Sequence, residues 1–87
     1  MQGNCFLCGR YTYLERHHIF GGANRKKSER DGLVVNLCHY CHNEPPYGAH
    51  HNKETMLFLH QYGQKLIMQK MNWTIEKFIR EYGKNYL

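Results

Sequence analysis

Apolar and polar positions alternate with two different rhythms along the chain, and the change falls near residue 51. Before it, the apolar residues come in short β-favouring runs punctuated by Gly, Cys and His. Tyr11 to Phe20 reads as one extended stretch, with Tyr11, Thr12, Tyr13, Ile19 and Phe20 as its β-prone residues. Gly21-Gly22 ends that strand, Ala23 to Gly32 reads as a polar, basic loop, and Leu33-Val34-Val35-Asn36-Leu37 forms a second strand leading to Cys38. Two strands around a basic loop are therefore expected.

After residue 51 the pattern becomes helical. Pro45 and Pro46 stop any helix begun at Cys41, since proline disfavours helical geometry in the residue before it. Asn52 is a good N-cap, and Lys53 to Gln69 continues with strong helix formers, interrupted by Gly63. Thr74 caps a last helix in which Ile75, Phe78, Ile79 and Tyr82 form one apolar stripe at i, i+3, i+4 and i+7, and Gly83 closes it. These helices are read as core support without chemistry of their own. The expected architecture is a single α+β domain over 1–87, with cysteine knuckles and a two-stranded core in 1–51 and supporting helices in 52–87.

A chain of 87 residues sits where a core alone gives little stability, because a domain this small buries only about 60% of the surface its unfolded chain exposes. A staple is expected. Four cysteines supply it in two short-range pairs, Cys5-x2-Cys8 and Cys38-x2-Cys41, the arrangement of a tetrahedral Zn²⁺ site. A redox dithiol would account for one pair and leave the other idle. His39 and His42 are able to stand in for a thiolate, but four cysteines make a complete set. No basic-then-apolar leader and no run approaching a membrane span is visible, so a soluble cytoplasmic protein with no membrane partner is expected. In such a compartment paired cysteines serve metals more often than disulfides.

Charge adds a partner. Twelve Lys and Arg stand against seven Asp and Glu, for a net charge of +5. The excess gathers at Arg10, Arg16, Arg25, Lys26, Lys27 and Arg30, against Glu15 and Glu29. A polyanion is the natural partner, and Arg25, Lys26, Lys27 and Arg30 are the expected phosphate contacts. Between the cysteine pairs lies Arg16-His17-His18-Ile19 within a strand, where adjacent side chains point to opposite faces. Two histidines in tandem, flanked by basic residues and by a knuckle on each side, are more than one satisfied structural histidine.

The order Cys5-x2-Cys8, His17-His18-Ile19, then Asn36 ahead of Cys38-x2-Cys41-His42-Asn43 resembles that of the HNH, or ββα-metal, nucleases. The stretch Gly21-Gly22-Ala23-Asn24-Arg25-Lys26, the segment Tyr47-Gly48-Ala49-His50 and the ending Phe78 to Leu87 are similar to small HNH-like proteins of phages and prophages. The resemblance implies a ββα-metal fold with a four-cysteine zinc staple and C-terminal helices, and a DNA endonuclease activity. It implies His18 as general base and His17 as ligand of a catalytic divalent cation, with His42 and His50 as further ligands. Asn36 is the supporting asparagine by position. It stands nearer the second cysteine pair than is usual in the family, where this chain has Leu33, and Asn24 or a backbone group is an alternative for aiming the base. A site so rich in histidine suits Zn²⁺, Ni²⁺, Mn²⁺ or Co²⁺ at least as well as Mg²⁺. His51 and His60 are read as surface or packing residues. The competing reading is a non-catalytic zinc module that binds nucleic acid beside phage recombination or packaging proteins. Such a module has no use for His17, His18, His42 and His50.

Overall fold

The computed structural model describes all 87 residues. Its first element, β1 (Gln2–Asn4), pairs antiparallel with β2 (Tyr11–Tyr13), and β3 (Glu15–His18) pairs antiparallel with β4 (Val34–Leu37). Short helices α1 (Arg25–Arg30) and α2 (His39–Asn43) flank β4, and α3 (Lys53–Met71) and α4 (Ile75–Tyr82) complete the chain. The protein is thus a small α+β structure with two small antiparallel sheets. No helix is long and apolar enough to cross a membrane.

The stretch expected as one strand from Tyr11 to Phe20 is two, broken at Leu14, because the two halves take different partners. Gln2 stands opposite Tyr13 in one sheet and Leu37 opposite Glu15 in the other. β1 has no apolar alternation by which to expect it. The basic loop expected over Ala23 to Gly32 is instead a 3₁₀ turn over Gly22–Asn24 followed by α1. Arg, Lys and Glu are good helix formers, and Gly32, at φ 72°, supplies the left-handed residue after the helix. A six-residue helix is too short to hold by itself. Tertiary contacts hold it: Lys27 Nζ donates to the Glu81 carbonyl at 2.6 Å and Asn24 Nδ2 to the Tyr82 carbonyl at 2.9 Å. Buried Ser28 accepts from the Phe20 N–H at 3.2 Å and donates to the Leu33 carbonyl at 2.6 Å, tying the end of β3 to the start of β4.

Ile19, Phe20, Leu33, Val35, Leu37, Leu59, Ile67, Phe78 and Tyr82 form the core together with Cys5, Cys38 and Ala49. Gly63, expected to interrupt α3 because of its poor helix propensity, does not break it; it lets the helix approach the chain just after β3. A Cβ there would lie 2.7 Å from Ile19 Cγ2 and 3.0 Å from Phe20 Cε2. Asn52 and Thr74 cap α3 and α4 by accepting the Thr55 and Lys77 N–H groups. The stripe on α4 is narrower than its spacing suggests, for Phe78 and Tyr82 are buried while Ile75 and Ile79 reach solvent.

Candidate metal centres

The knuckle at Cys5 forms because Gly9, at φ 79°, turns the chain back so that its N–H reaches the Cys5 carbonyl at 2.9 Å, while the Cys5 N–H reaches the Arg10 carbonyl. Cys38 is the N-cap of α2, its sulfur accepting from the Cys41 N–H. The four sulfurs of Cys5, Cys8, Cys38 and Cys41 lie within 4.8 Å of one another. A tetrahedral ion with zinc–sulfur bonds of about 2.3 Å requires sulfur–sulfur edges of about 3.8 Å, and Cys8 Sγ to Cys38 Sγ is 3.8 Å. Burial disfavours the Cys5 thiolate, but N–H bonds from Cys8, Cys38 and Leu7 outweigh it and bring the thiol down to about 6. Burial and then the neighbouring sulfurs push Cys41 up. Burial and the repulsion that four thiolates so close would feel keep the proton on Cys41, and a divalent cation would remove that repulsion. The cluster fits a metal such as zinc.

A second cluster is built from β3 and from the chain beyond β4. His17 comes from β3, His42 from α2 and His50 from a 3₁₀ turn over Ala49–His51, and their ligand nitrogens lie within 4.8 Å of one another. His17 is buried, and its Nε2 is the one buried side-chain polar atom in the protein without a hydrogen-bond partner. An unpartnered buried nitrogen is costly, and a cation offered a lone pair there would relieve it. Burial, reinforced by His42 and His50, lowers the His17 pKa to about 4, and burial lowers that of His50 as well. Both are neutral at pH 7, the form that ligates metal.

Glu15 completes this arrangement from behind. Its Oε1 lies 2.8 Å from His42 Nδ1 and accepts from Asn43 Nδ2 at 3.0 Å, and its Oε2 lies 3.0 Å from His39 Nδ1. His42 and, next, His39 hold the Glu15 carboxyl below its usual range. With that carboxylate ionised, His42 Nδ1 carries the proton and donates, leaving Nε2 as a free lone pair. That lone pair faces His50 Nε2 at 2.9 Å. Two nitrogens held by one metal at about 2.0–2.1 Å stand about 2.9 Å apart at right angles and about 3.3 Å apart at tetrahedral angles.

The histidine cluster opens into a cleft of about 320 Å³ lined by Arg16, His17, His18, Gly21, Gly22, Arg25, His42 and His50. His18 shares the cleft but not the cluster, its Nε2 lying 2.9 Å from Glu29 Oε2. Arg16 Nη2 donates to the other oxygen of Glu29 at 2.6 Å. The residues expected to contact phosphate divide. Arg25 lines the cleft and Lys26 is exposed, whereas Lys27 is tied to α4 and Arg30 is committed to Asp31 at 2.9 and 3.0 Å. Asn36 stands on β4 opposite Arg16, outside the cleft, with its carbonyl accepting from the Phe6 N–H. Asn24, the other asparagine considered for aiming the base, is bound to α4 instead. His51 is exposed, and His60 stacks on Phe20 at 5.2 Å.

Sequence reasoning missed Glu15 and Glu29. Strand parity held half of the signal, since Glu15 shares a face of β3 with His17 while Arg16 shares the other with His18. The remaining half, that α1 brings Glu29 to the second face, depends on α1 being a helix.

Fold and clusters together define a small α+β protein with one four-cysteine and one three-histidine ligand set. No protein-family model, curated protein or solved structure matches the chain.

Proposed function

We propose that this chain is an HNH-like endonuclease that hydrolyses phosphodiester bonds in DNA, with zinc on Cys5, Cys8, Cys38 and Cys41 as its staple. The observation that carries the reading is the convergence of His17, His42 and His50, with the orphaned His17 Nε2, at the floor of a cleft that also holds His18 and Arg25. The antiparallel β3–β4 pair followed by α2 agrees with the ββα order that the sequence resembles. A divalent cation on the three histidines would polarise a phosphate and stabilise charge on the leaving oxygen. Around it, His18 takes the proton from the attacking water. Arg25 at the cleft wall and Lys26 beside it hold the phosphate backbone, neutralising charge without reading bases. Buried His17 and Glu15-bound His42 keep their lone pairs fixed before any ligand arrives.

Plasmid cleavage across a panel of Mg²⁺, Mn²⁺, Co²⁺, Ni²⁺ and Zn²⁺ tests the proposal. The unaltered protein is expected to nick or linearise plasmid with at least one of them, and His18→Ala to be slower by about 10²- to 10⁴-fold, the usual worth of general-base catalysis. DNA binding without cleavage in any metal would refute the enzyme.

A further inference from the structure

We infer that Glu29 is the positioning residue that aims His18, in place of an asparagine; the inference rests on His18 being the general base proposed above. Neither Asn36 nor Asn24 is bonded to His18. The Glu29 carboxylate divides its two oxygens, Oε1 to Arg16 at 2.6 Å and Oε2 to His18 Nε2 at 2.9 Å. An ionised carboxylate only accepts, so neutral His18 carries its proton on Nε2 and presents Nδ1 as the lone pair. The proton lost by water then rests on Nδ1, and Glu29 faces the imidazolium that results. A carboxylate that fixes a histidine tautomer and stabilises its protonated form is a general device of histidine bases.

Glu29 is itself well anchored for a half-exposed residue. Its predecessor Ser28 is fully buried between the Phe20 N–H and the Leu33 carbonyl, and its own carbonyl accepts from the Gly32 N–H at 3.3 Å. α1 is further pinned to α4 through Asn24 and Lys27. Arg16 approaches from the same face of β3 as His18, so one strand supplies both partners of the carboxylate. Each of these supports keeps Oε2 at a constant place relative to His18, which is what a base must have to meet water in the cleft.

The test pairs a spectroscopic reading with kinetics in full-length, zinc-loaded protein. Ring ¹⁵N shifts of His18 in histidine-labelled protein report which nitrogen carries the proton. They are expected to show the Nε2–H form in the unaltered protein and a mixture in Glu29→Ala. In the same variant kcat is expected to fall about 10²-fold, short of the roughly 10⁴-fold lost when a buried orienting aspartate is replaced, because Glu29 is half exposed. KM for DNA and the metal concentration giving half-maximal rate are expected to stay unchanged, and Glu29→Gln to lose activity as well, because its single amide oxygen cannot accept from both Arg16 and His18 and its NH2, turned to His18, favours the Nδ1–H form. If Glu29→Ala leaves either the tautomer or kcat unchanged in a protein that cleaves DNA, the inference is overturned and the nuclease reading stands. A raised metal requirement would make Glu29 a ligand and overturn it too. Failure of the unaltered protein to cleave would overturn both.

Discussion

His17 and His18 are adjacent in sequence and chemically unlike, because the strand turns one toward His42 and His50 and the other toward Glu29. Substituting them should therefore give different kinetics. His17→Ala and His42→Ala are expected to weaken binding of the catalytic cation, so part of their lost cleavage returns at high metal. His18→Ala is expected to stay slow at every metal concentration while retaining zinc and DNA affinity. Cleavage rate against metal concentration for the three variants checks this, and rescue of His18→Ala would exchange the two roles. Asp31 carries a second prediction at this scale. Arg30 holds its carboxyl below the ordinary value of 3.8, with help from the Tyr82 hydroxyl, which donates at 2.7 Å. A carboxyl whose pKa is lowered by folding stabilises the fold above its unfolded value, and that stability is lost as pH falls through the folded value. Asp31→Ala leaves the Tyr82 hydroxyl unpaired at a cost of about 1–3 kcal/mol at neutral pH. The difference in melting temperature from the unaltered protein is expected to shrink below pH 4.

Among the elements, α1 does two jobs with one basic sequence. Lys27 and Arg30 bind it to α4 and to Asp31, while Arg25 at the cleft and exposed Lys26 are the two proposed phosphate contacts. Each phosphate neutralised on duplex DNA adds about 0.9 to the slope of log affinity against log salt. Arg25→Gln with Lys26→Gln is thus expected to flatten that slope by about 2 without altering the melting temperature. Lys27→Gln is expected to do the reverse, lowering the melting temperature with a smaller change in slope. Titrations of labelled duplex at several salt concentrations, beside thermal melts, separate these outcomes. Equal effects on the slope would place Lys27 on the DNA path. Helix α1 was hidden in the sequence because its six residues lack an apolar stripe, Ser28 alone being buried. By contrast α3 and α4 could be placed from their caps and spacing, since Asn52, Thr74 and Gly83 act locally.

For the whole molecule, the four-cysteine cluster, which fits a metal such as zinc, is the expected staple. One zinc per chain is expected in protein purified without added metal, contributing on the order of 10 kcal/mol to folding, as structural zinc sites do. A chelator should then abolish far-UV dichroism in one cooperative step, and a folded sample free of zinc would refute it. The cluster joins the knuckle before β2 to the N-terminus of α2, so its loss frees both sides of the β3–β4 pair. The sequence by itself determined the candidate ligand types and their local pairing, because two cysteines spaced by two residues in a knuckle bring their sulfurs to one side of the turn. It determined as well the alternation of faces on β3 and the capped C-terminal helices, all of which arise from neighbours a few residues apart. Only the tertiary structure decided that His17, His42 and His50 converge, that Glu15 stands behind His42, and that Glu29 reaches His18. Those contacts span 11 to 27 residues of sequence for the glutamates. They depend on antiparallel pairing of β3 with β4 and on α1 docking against α4, and no local pattern of residue types encodes such long-range packing.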